Sequence, residues 1–284
     1  MLLYKYLSDE RIFNVFEEGL IRFTPPEFFN DPFESLPNVM GVFSKELVDV
    51  FFGSVLNDSS YKLLTQDLSE DNKCTLERYK KILSKGEKSI KEMYDAFRGT
   101  KEKDFSEFMK YHWSNQLGVL SLSEEYDNLT MWSHYANDHK GFLLGFDSES
   151  LITKKEQILN KPRKIRYTNN RPQINLFELE ESREERNYKW SDSFLYTKSK
   201  DWAYENEWRQ VNKLDKADTV KKLNEKENIH LFKINKDAIN CVILGCRISI
   251  ENEGRIKKYC YNLPIRLFKL KTSKTRYSLE RIKL

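Results

Sequence analysis

Apolar runs in this chain are short, and their length limits what the chain can fold into. The longest, such as residues 241–245, have the length of a β-strand, far below the roughly 18 residues of a membrane-spanning helix. Strands are predicted at 2–7, 20–23, 118–123, 141–146, 164–167, 201–212, 229–234, 241–244 and 265–270. Helical segments do not alternate strictly with these strands, so the sequence disfavours a doubly wound parallel sheet and predicts an α+β fold.

A long helical stretch interrupts the predicted strands. From 44 to 116, apolar residues recur at helical spacing, for example at Leu47, Phe51 and Val55. We interpret the chain as a single α+β domain over 1–284 with a helical insertion at 44–116. Shorter helices are predicted at 9–18, 129–136, 176–190 and 251–261.

The composition is that of a soluble globular protein. Hydrophobic residues make up 39% and charged residues 32% of the chain, and 18 Phe and 15 Tyr supply bulk for a core. The first residues lack the apolar region and the cleavage site of an export signal. The four cysteines form no cluster at zinc spacing and indicate reduced thiols. We therefore expect a cytoplasmic protein without a metal site or a membrane segment.

Several common catalytic motifs are absent from the sequence. It contains no P-loop, no glycine-rich dinucleotide fingerprint, no paired-histidine zinc motif and no nucleophile elbow. His134 and His139 are five residues apart, which separates them by about 140° around a helix. These absences disfavour P-loop NTPases, zinc proteases and α/β-hydrolases.

The net charge of +4 is unevenly distributed along the chain. Residues 255–284, the basic tail, contain ten Lys or Arg and one acid, Glu280. A second basic run at 161–171 precedes an acidic run at 178–185. Two interpretations remain open: solvated faces, or a basic tail that contacts a phosphate backbone.

Three segments are denser in aromatic and polar side chains than folding requires. They are 28–34, 131–142 and 202–209, which read FFNDPFE, MWSHYANDHKGF and WAYENEWR. Together with the opening Leu-Tyr-Lys-Tyr at 3–6, they resemble the bacterial family called domain of unknown function 2971. Its members show an Asn-Asp-Pro-Phe loop, a Trp-Ser-His-Tyr-Ala segment and a Trp-x-x-Glu-x-Glu-x-Arg segment. The resemblance spans nearly the whole chain apart from the helical insertion.

The third segment also resembles, more distantly, the last motif of the ADP-ribosyltransferase superfamily. If it is a strand, Glu205, Glu207 and Arg209 share one face. In that superfamily the second Glu of such a pair binds the nicotinamide ribose and stabilises an oxocarbenium-like transition state. The resemblance implies a mixed central sheet like the core of these enzymes, with NAD as substrate. It makes Glu207 the catalytic carboxylate and Glu205 the residue that orients the acceptor.

The same resemblance implies which residues contact NAD. We expect these to be Tyr4, Lys5, Tyr6, Asn30, Ser121, Ser123, Trp132, His134 and Tyr135. Two features depart from the superfamily: Lys5 stands where Arg or His is usual, and the serine motif is Ser-Leu-Ser rather than Ser-Thr-Ser. The strands that carry Tyr4, Ser121 and Glu207 must be neighbours for one dinucleotide to reach all three.

Each segment also has a structural interpretation. Glu205 and Glu207 can form a solvated strand face that pairs with Arg209 and nearby lysines. The 131–142 segment can be core, and Asn30 can belong to a turn.

Three functions therefore stay open at this stage. The resemblance implies an enzyme of a bacterial toxin or phage-defence system that modifies nucleic acid or a host protein. The alternative is a non-enzymatic module of such a system that binds nucleic acid or a protein partner. A third possibility is a metal-dependent nuclease that uses Asp31, Glu34, Glu205 and Glu207.

Overall fold

The computed structural model describes residues 1–40, 110–111, 113–149, 161–175, 183–224 and 227–284. The chain divides into two compact units. The first contains Met1–Ser35, Tyr111–Arg171 and Leu195–Leu284, and the second contains Leu36–Lys110 and Pro172–Phe194. Most of the predicted helical insertion, 44–109, lies outside the described residues, as do residues 176–182 of a predicted helix.

The described residues form strands and helices with the following bounds. The strands are β1 (Leu2–Leu7), β2 (Leu20–Phe23), β3 (Asn38–Met40), β4 (Leu117–Ser123), β5 (Phe142–Asp147), β6 (Arg163–Lys164), β7 (Arg166–Thr168), β8 (Gln173–Asn175), β9 (Thr197–Ser199), β10 (Glu207–Lys213), β11 (Thr219–Lys222), β12 (Asn228–Lys233), β13 (Ile239–Leu244), β14 (Arg266–Thr272) and β15 (Leu279–Lys283). The α-helices are α1 (Leu129–Tyr135), α2 (Arg183–Leu195) and α3 (Ile250–Cys260). Short 3₁₀ or π turns lie at Asp9–Arg11, Phe13–Glu17, Pro26–Phe28, Lys200–Glu205, Leu214–Lys216 and Lys236–Ala238.

The first unit is built on an eight-stranded sheet with the strand order β15-β14-β13-β5-β1-β4-β10-β6. β13 and β14 are parallel, and α3 lies between them in the chain. The other pairs in this sheet are antiparallel. A parallel pair needs a crossover connection, which the segment containing α3 supplies. The predicted α+β fold with a mixed central sheet is therefore confirmed.

The middle of this sheet is covered on both faces. Along β5 and β13, alternate residues belong to two different core clusters: Leu144 and Val242 to one, Leu143 and Ile243 to the other. All four side chains are 0% exposed. Burying one such side chain contributes about 1.5–3 kcal/mol. Because both faces need apolar residues, these strands are continuous apolar runs in the sequence.

The sheet changes its pairing between β1 and β4. β1 pairs with β5 at six positions and β4 pairs with β10 at seven, but β1 and β4 pair only at Tyr4 and Ser123. Glu207 lies opposite Ser123 on β10. Tyr4, Ser123 and Glu207 therefore form one row across three neighbouring strands, which confirms the expected adjacency of these strands. Beyond this row, β1 and β4 are no longer paired.

The prediction of one strand over 201–212 is wrong for its first part. Lys200–Glu205 is a 3₁₀ helix, and the Ser199 hydroxyl at its start accepts a hydrogen bond from the Asp201 backbone N–H. Asn206 then adopts φ = 42°, a left-handed conformation that Asn tolerates better than most residues, and β10 begins at Glu207. The Glu205 side chain therefore approaches Glu207 from the preceding turn rather than from the same strand.

Of the two short helices predicted at 9–18 and 129–136, the structure contradicts the first and confirms the second. The helix expected at 9–18 is instead a 3₁₀ turn at Asp9–Arg11 followed by a π turn at Phe13–Glu17. The helix expected at 129–136 is confirmed as α1. The Asn128 side chain caps α1 by accepting a hydrogen bond from the Met131 N–H at 3.1 Å.

The basic tail folds into the end of α3 and the edge of the central sheet. Its basic side chains divide between the two faces of β14 and β15, since Lys269 lies opposite Ile282 while Arg281 lies opposite Leu270. Lys269 pairs with Glu253 of α3 at 2.6 Å. In the ranges that the structure describes, no helix is long and apolar enough to cross a membrane.

Candidate functional site

The Glu205 and Glu207 carboxylates meet at one lysine. Nζ of Lys198, on β9, lies 2.6 Å from Glu205 Oε2, 3.2 Å from Glu207 Oε2 and 3.7 Å from Glu34 Oε2. None of these four side chains is more than 4% exposed. The expectation that Glu205 and Glu207 are solvated is therefore wrong, because folding removes both from water, but the expected pairing with Arg209 and a nearby lysine is confirmed.

Arg209 binds two of these carboxylates as well. It lies two residues after Glu207 on β10, so both side chains lie on one face. Its Nε and Nη2 donate to the two oxygens of Glu207 at 2.8 and 3.1 Å, and Nη2 also contacts Glu34. Its Nη1 donates to the Leu195 carbonyl at 2.7 Å. Such a bidentate fork fixes the orientation of the Glu207 carboxylate.

We call Glu34, Lys198, Glu205, Glu207 and Arg209 the ionic cluster. It contains three carboxylates and two cations, all buried. Removing such charges from water costs several kcal/mol per ion, so a buried cluster is weak evidence for stability by itself. Groups with a perturbed pKa collect at functional sites more often than elsewhere. The ionic cluster is therefore a candidate functional site.

Polar groups around the ionic cluster satisfy its remaining oxygens. The Tyr135 hydroxyl donates to Glu205 Oε1 at 2.6 Å and accepts from Asn30 Nδ2 at 3.2 Å. Ser121 lies opposite Arg209 on β4, and its proximity lowers the pKa of Glu207 against the effect of burial. The Glu207 backbone N–H donates to the Tyr167 hydroxyl at 2.8 Å. These contacts hold both carboxylates in defined positions.

Burial and neighbouring charges shift the pKa values at the site. Burial raises the pKa of Glu207, against the opposing charge of Lys198. Burial acts to lower the pKa of Lys198, but Glu207 and Glu205 together raise it above its usual value. Burial lowers the pKa of Arg209 to about 9, so the guanidinium stays charged at neutral pH. The two cations are thus protonated, and the charge of Lys198 favours the ionised form of Glu207.

A cavity of about 280 Å³ lies beside the ionic cluster, and we call it the Glu207 cavity. Lys5 and Tyr6 of β1 and Ser121 and Leu122 of β4 are among its lining residues, so the cavity forms where these two strands no longer pair. The lining contains the following predicted site residues: Tyr4, Lys5, Tyr6, Asn30, Ser121, Ser123, Tyr135, Glu205 and Glu207. The fold brings these residues together from distant parts of the chain.

The Ser-Leu-Ser motif positions both carboxylates. The Ser123 hydroxyl donates to the Glu205 carbonyl at 2.5 Å and accepts from the Glu125 N–H at 2.9 Å. These bonds fix the turn that presents Glu205. On the neighbouring strand, Ser123 lies opposite Glu207 and Ser121 lies opposite Arg209.

Trp132 and His134 do not line the Glu207 cavity. Trp132 is 0% exposed, and its Nε1 donates to the Tyr126 carbonyl at 2.8 Å. Its ring stacks on His139 and meets Tyr6 edge-on at 5.5 Å. His134 is exposed and contacts the edge of Tyr135. Trp132 therefore supports the cavity wall from within the core.

Backbone geometry accounts for much of the 131–142 segment. After α1, Asn137, Asp138 and His139 adopt φ values of 47°, 51° and 69°. Such left-handed residues commonly end helices. Gly141 then passes so close to β1 that a Cβ there would lie 2.0 Å from the Leu7 carbonyl oxygen. The segment thus connects α1 tightly to β5.

Asn30 and Asp31 belong to a turn, as the structural interpretation predicts. The Asp31 side chain accepts a hydrogen bond from the Phe33 N–H at 2.9 Å. Its backbone carbonyl accepts from the Glu34 N–H at 3.2 Å, which directs Glu34 toward the ionic cluster. Among the described residues, no group of His, Cys, Asp and Glu is arranged as a metal site. The carboxylates of Glu34, Glu205 and Glu207 converge on the Lys198 ammonium.

Lys198 is the principal residue of the site that sequence reasoning missed. It lies in a three-residue strand, Thr197–Ser199, outside every motif identified above. The sequence offered one indication: Lys198 precedes the two carboxylates that it binds by seven and nine residues. That spacing has no regular period, so only the turn at Lys200–Glu205 reveals the contact.

Comparisons with known proteins give one family. Residues 131–210 match the sequence model of a family described as protein of unknown function (DUF2971). No curated protein and no solved structure matches the chain. The distant resemblance to the ADP-ribosyltransferase superfamily receives no support from these comparisons. The match to DUF2971 supports that family for this chain through the segment that carries Tyr135, Lys198, Glu205, Glu207 and Arg209.

Proposed function

We propose that this chain is an NAD-dependent ADP-ribosyltransferase-like enzyme in which Glu207 is the catalytic carboxylate. One observation carries the proposal: Glu207 is a buried, doubly paired carboxylate that lines a cavity between diverging strands. The row Tyr4, Ser123 and Glu207 supplies aromatic, hydroxyl and carboxylate groups to that cavity. These are the group types that a nicotinamide ribose requires.

The proposed reaction breaks the bond between the nicotinamide nitrogen and C1′ of the ribose. The bonding electron pair leaves with nicotinamide, which becomes neutral, and positive charge develops on the ribose ring. A fixed carboxylate close to that charge lowers the barrier. The acceptor, water or a nucleophilic group of a macromolecule, forms the new bond at C1′ and releases a proton.

The other members of the ionic cluster support this role by position. Arg209 and Lys198 hold Glu207 in one orientation, and the charge of Lys198 favours its ionised form. Tyr135 and Lys198 fix Glu205 at the same wall of the cavity, where it can orient the acceptor. Nucleic acid and a host protein both remain possible acceptors.

The test is release of nicotinamide from NAD by the purified full chain, measured chromatographically. Glu207→Gln should lower the rate by at least about 100-fold, because one group that stabilises transition-state charge contributes roughly 3 kcal/mol. Glu251→Gln, at an exposed position on α3, is the matched control and should retain full activity.

Two results would overturn the proposal. One is a Glu207→Gln protein, folded by circular dichroism, that releases nicotinamide at the wild-type rate. The other is a wild-type chain that neither binds NAD in a thermal-shift titration nor releases nicotinamide. In the second case, a non-enzymatic binding module becomes the leading function.

A further inference from the structure

A second cavity adjoins the Glu207 cavity. It has a volume of about 180 Å³ and shares Lys5, Tyr6, Thr24 and Tyr135 with the first. Residues of β1, of the turns that follow it and of β2 form most of its wall. The two cavities therefore meet at the same four side chains.

The charge of this second cavity is one-sided, and we call it the basic cavity. Three basic side chains line it, Lys5, Arg11 and Arg22, and no acidic residue among those described does so. The Glu207 cavity differs, since three carboxylates balance its three cations. A cavity whose charged lining residues are all basic favours an anionic ligand.

Most of the positive charge in the basic cavity has no directly bound partner among the residues that the structure describes. In the part of the chain that the structure describes, the side chains of Lys5 and Arg11 make no ion pair or hydrogen bond. Arg22 binds Glu227 through Nη2, but its buried Nε has no partner there. Partially enclosed cations that have no directly bound counter-charge are costly unless a ligand supplies one.

The titration of Lys5 is consistent with this environment. Burial, together with the Arg22 guanidinium, lowers the pKa of Lys5 to about 8 against the opposing charges of Glu207 and Glu205. An anion bound beside Lys5 would raise that pKa again.

The remaining lining groups indicate the class of anion. Three uncharged polar residues, Ser8, Asn14 and Thr24, also line the basic cavity, and the Asn14 amide donates one hydrogen bond to Glu18. Guanidinium forks, an ammonium and hydroxyls arranged around one small space are the groups that bind a tetrahedral phosphoryl group. A single carboxylate would leave several of these donors without an acceptor.

We propose that the basic cavity is a phosphoryl-binding site in which Lys5, Arg11 and Arg22 hold a phosphate or diphosphate group. Because the two cavities share four residues, a ligand anchored here by a phosphoryl group can extend to Glu207. The proposal does not depend on the reaction at Glu207, since it requires only anion binding.

The first experiment measures binding of inorganic pyrophosphate and of inorganic phosphate to the full chain by calorimetry at low salt. Wild type should bind pyrophosphate, and Arg11→Gln should weaken that binding at least about tenfold, because it removes a charge-assisted fork. Arg11 has no hydrogen-bond or ion-pair partner among the described residues, so the variant should fold normally, as circular dichroism can verify. Arg11→Lys, which keeps the charge without the fork, should bind with intermediate affinity.

The control is Arg276→Gln in the basic tail, which removes an exposed arginine that does not line the cavity. It should change pyrophosphate affinity by less than about twofold. An equal loss in Arg276→Gln and Arg11→Gln would overturn the proposal, because binding would then follow net charge. Absence of pyrophosphate binding to wild type would overturn it as well.

Two further readouts separate a phosphoryl site from a general anion site. Sulfate, which is tetrahedral, should compete with pyrophosphate, while acetate at equal ionic strength should not. Pyrophosphate should also protect Lys5 from acylation, as peptide mass spectrometry can measure. Competition by acetate as strong as that by sulfate, or unprotected Lys5, would contradict a phosphoryl site.

Discussion

Arg209 joins much of the ionic cluster through one side chain. It contacts Glu207 and Glu34 and reaches the Leu195 carbonyl, and it is 1% exposed. Lys198 pairs with the same two carboxylates and with Glu205. The three carboxylates carry more negative charge than either cation could neutralise by itself, so the cluster needs both Arg209 and Lys198.

We predict that Arg209→Met destabilises the fold by about 3–5 kcal/mol, because it leaves buried carboxylates without a partner. Lys213→Met on the same strand replaces an exposed lysine and should change stability by no more than about 0.5 kcal/mol. Urea unfolding of both variants measures the difference. Equal stability of the two variants would mean that the carboxylates are neutral or hydrated in the fold.

At the scale of elements, the basic tail forms the edge of the central sheet. β15 is the terminal strand, and its residues from Glu280 to Lys283 are exposed. Lys and Arg on an edge strand discourage pairing with other chains, which gives this charge a structural reason apart from nucleic acid. Arg281 does more, since its guanidinium lies 4.7 Å from the Tyr126 ring centroid and 4.6 Å from that of Phe268.

Arg281→Ala should therefore lower stability by about 1 kcal/mol or more through lost cation–π contacts. Lys283→Ala, two residues further along β15 on the same face, is the matched control, because Lys283 lies opposite Phe268 but makes no cation–π contact among the described residues. Its effect should stay within about 0.5 kcal/mol. Thermal unfolding of both variants measures the difference. Equal unfolding midpoints for Arg281→Ala and Lys283→Ala would show that the cation–π contacts of Arg281 do not stabilise the fold.

At the scale of the whole molecule, the strand order of the first unit determines which strands are most protected and where the Glu207 cavity forms. β5 and β13 have neighbours on both sides and apolar side chains on both faces. β6 and β15 are the two edges. The Glu207 cavity lies between these extremes, where β1 and β4 lose their pairing.

Hydrogen exchange should reproduce this order. We predict that amides of β5 and β13 exchange at least about 100-fold more slowly than those of β15. The opening free energy falls from the global value in core strands to nearly zero at frayed edges. Exchange followed by mass spectrometry of peptides from these strands provides the measurement. Equal protection of β15 and β5 would contradict the sheet order.

The sequence predicted much of the fold because its signals are local. Short apolar runs predicted β1 and β4, and residues at helical spacing predicted α1. The 201–212 prediction failed at its start because Asn206 adopts a left-handed conformation, which alternation of apolar and polar residues does not reveal. The carboxylate pair was recognised, but its burial was not, since charged residues are seldom buried.

The sequence by itself determined the α+β class, the strand that begins the chain and the candidacy of Glu205 and Glu207, because period, turn residues and motif spacing are local properties. Only the tertiary structure decided that the ion pairs of these carboxylates are buried, that the pairing lysine is Lys198 and that Lys5 borders two cavities. Those facts depend on strand order and on the point where β1 leaves β4. Contacts between residues far apart in the chain leave no periodic trace in the sequence, because they arise when separate elements pack together.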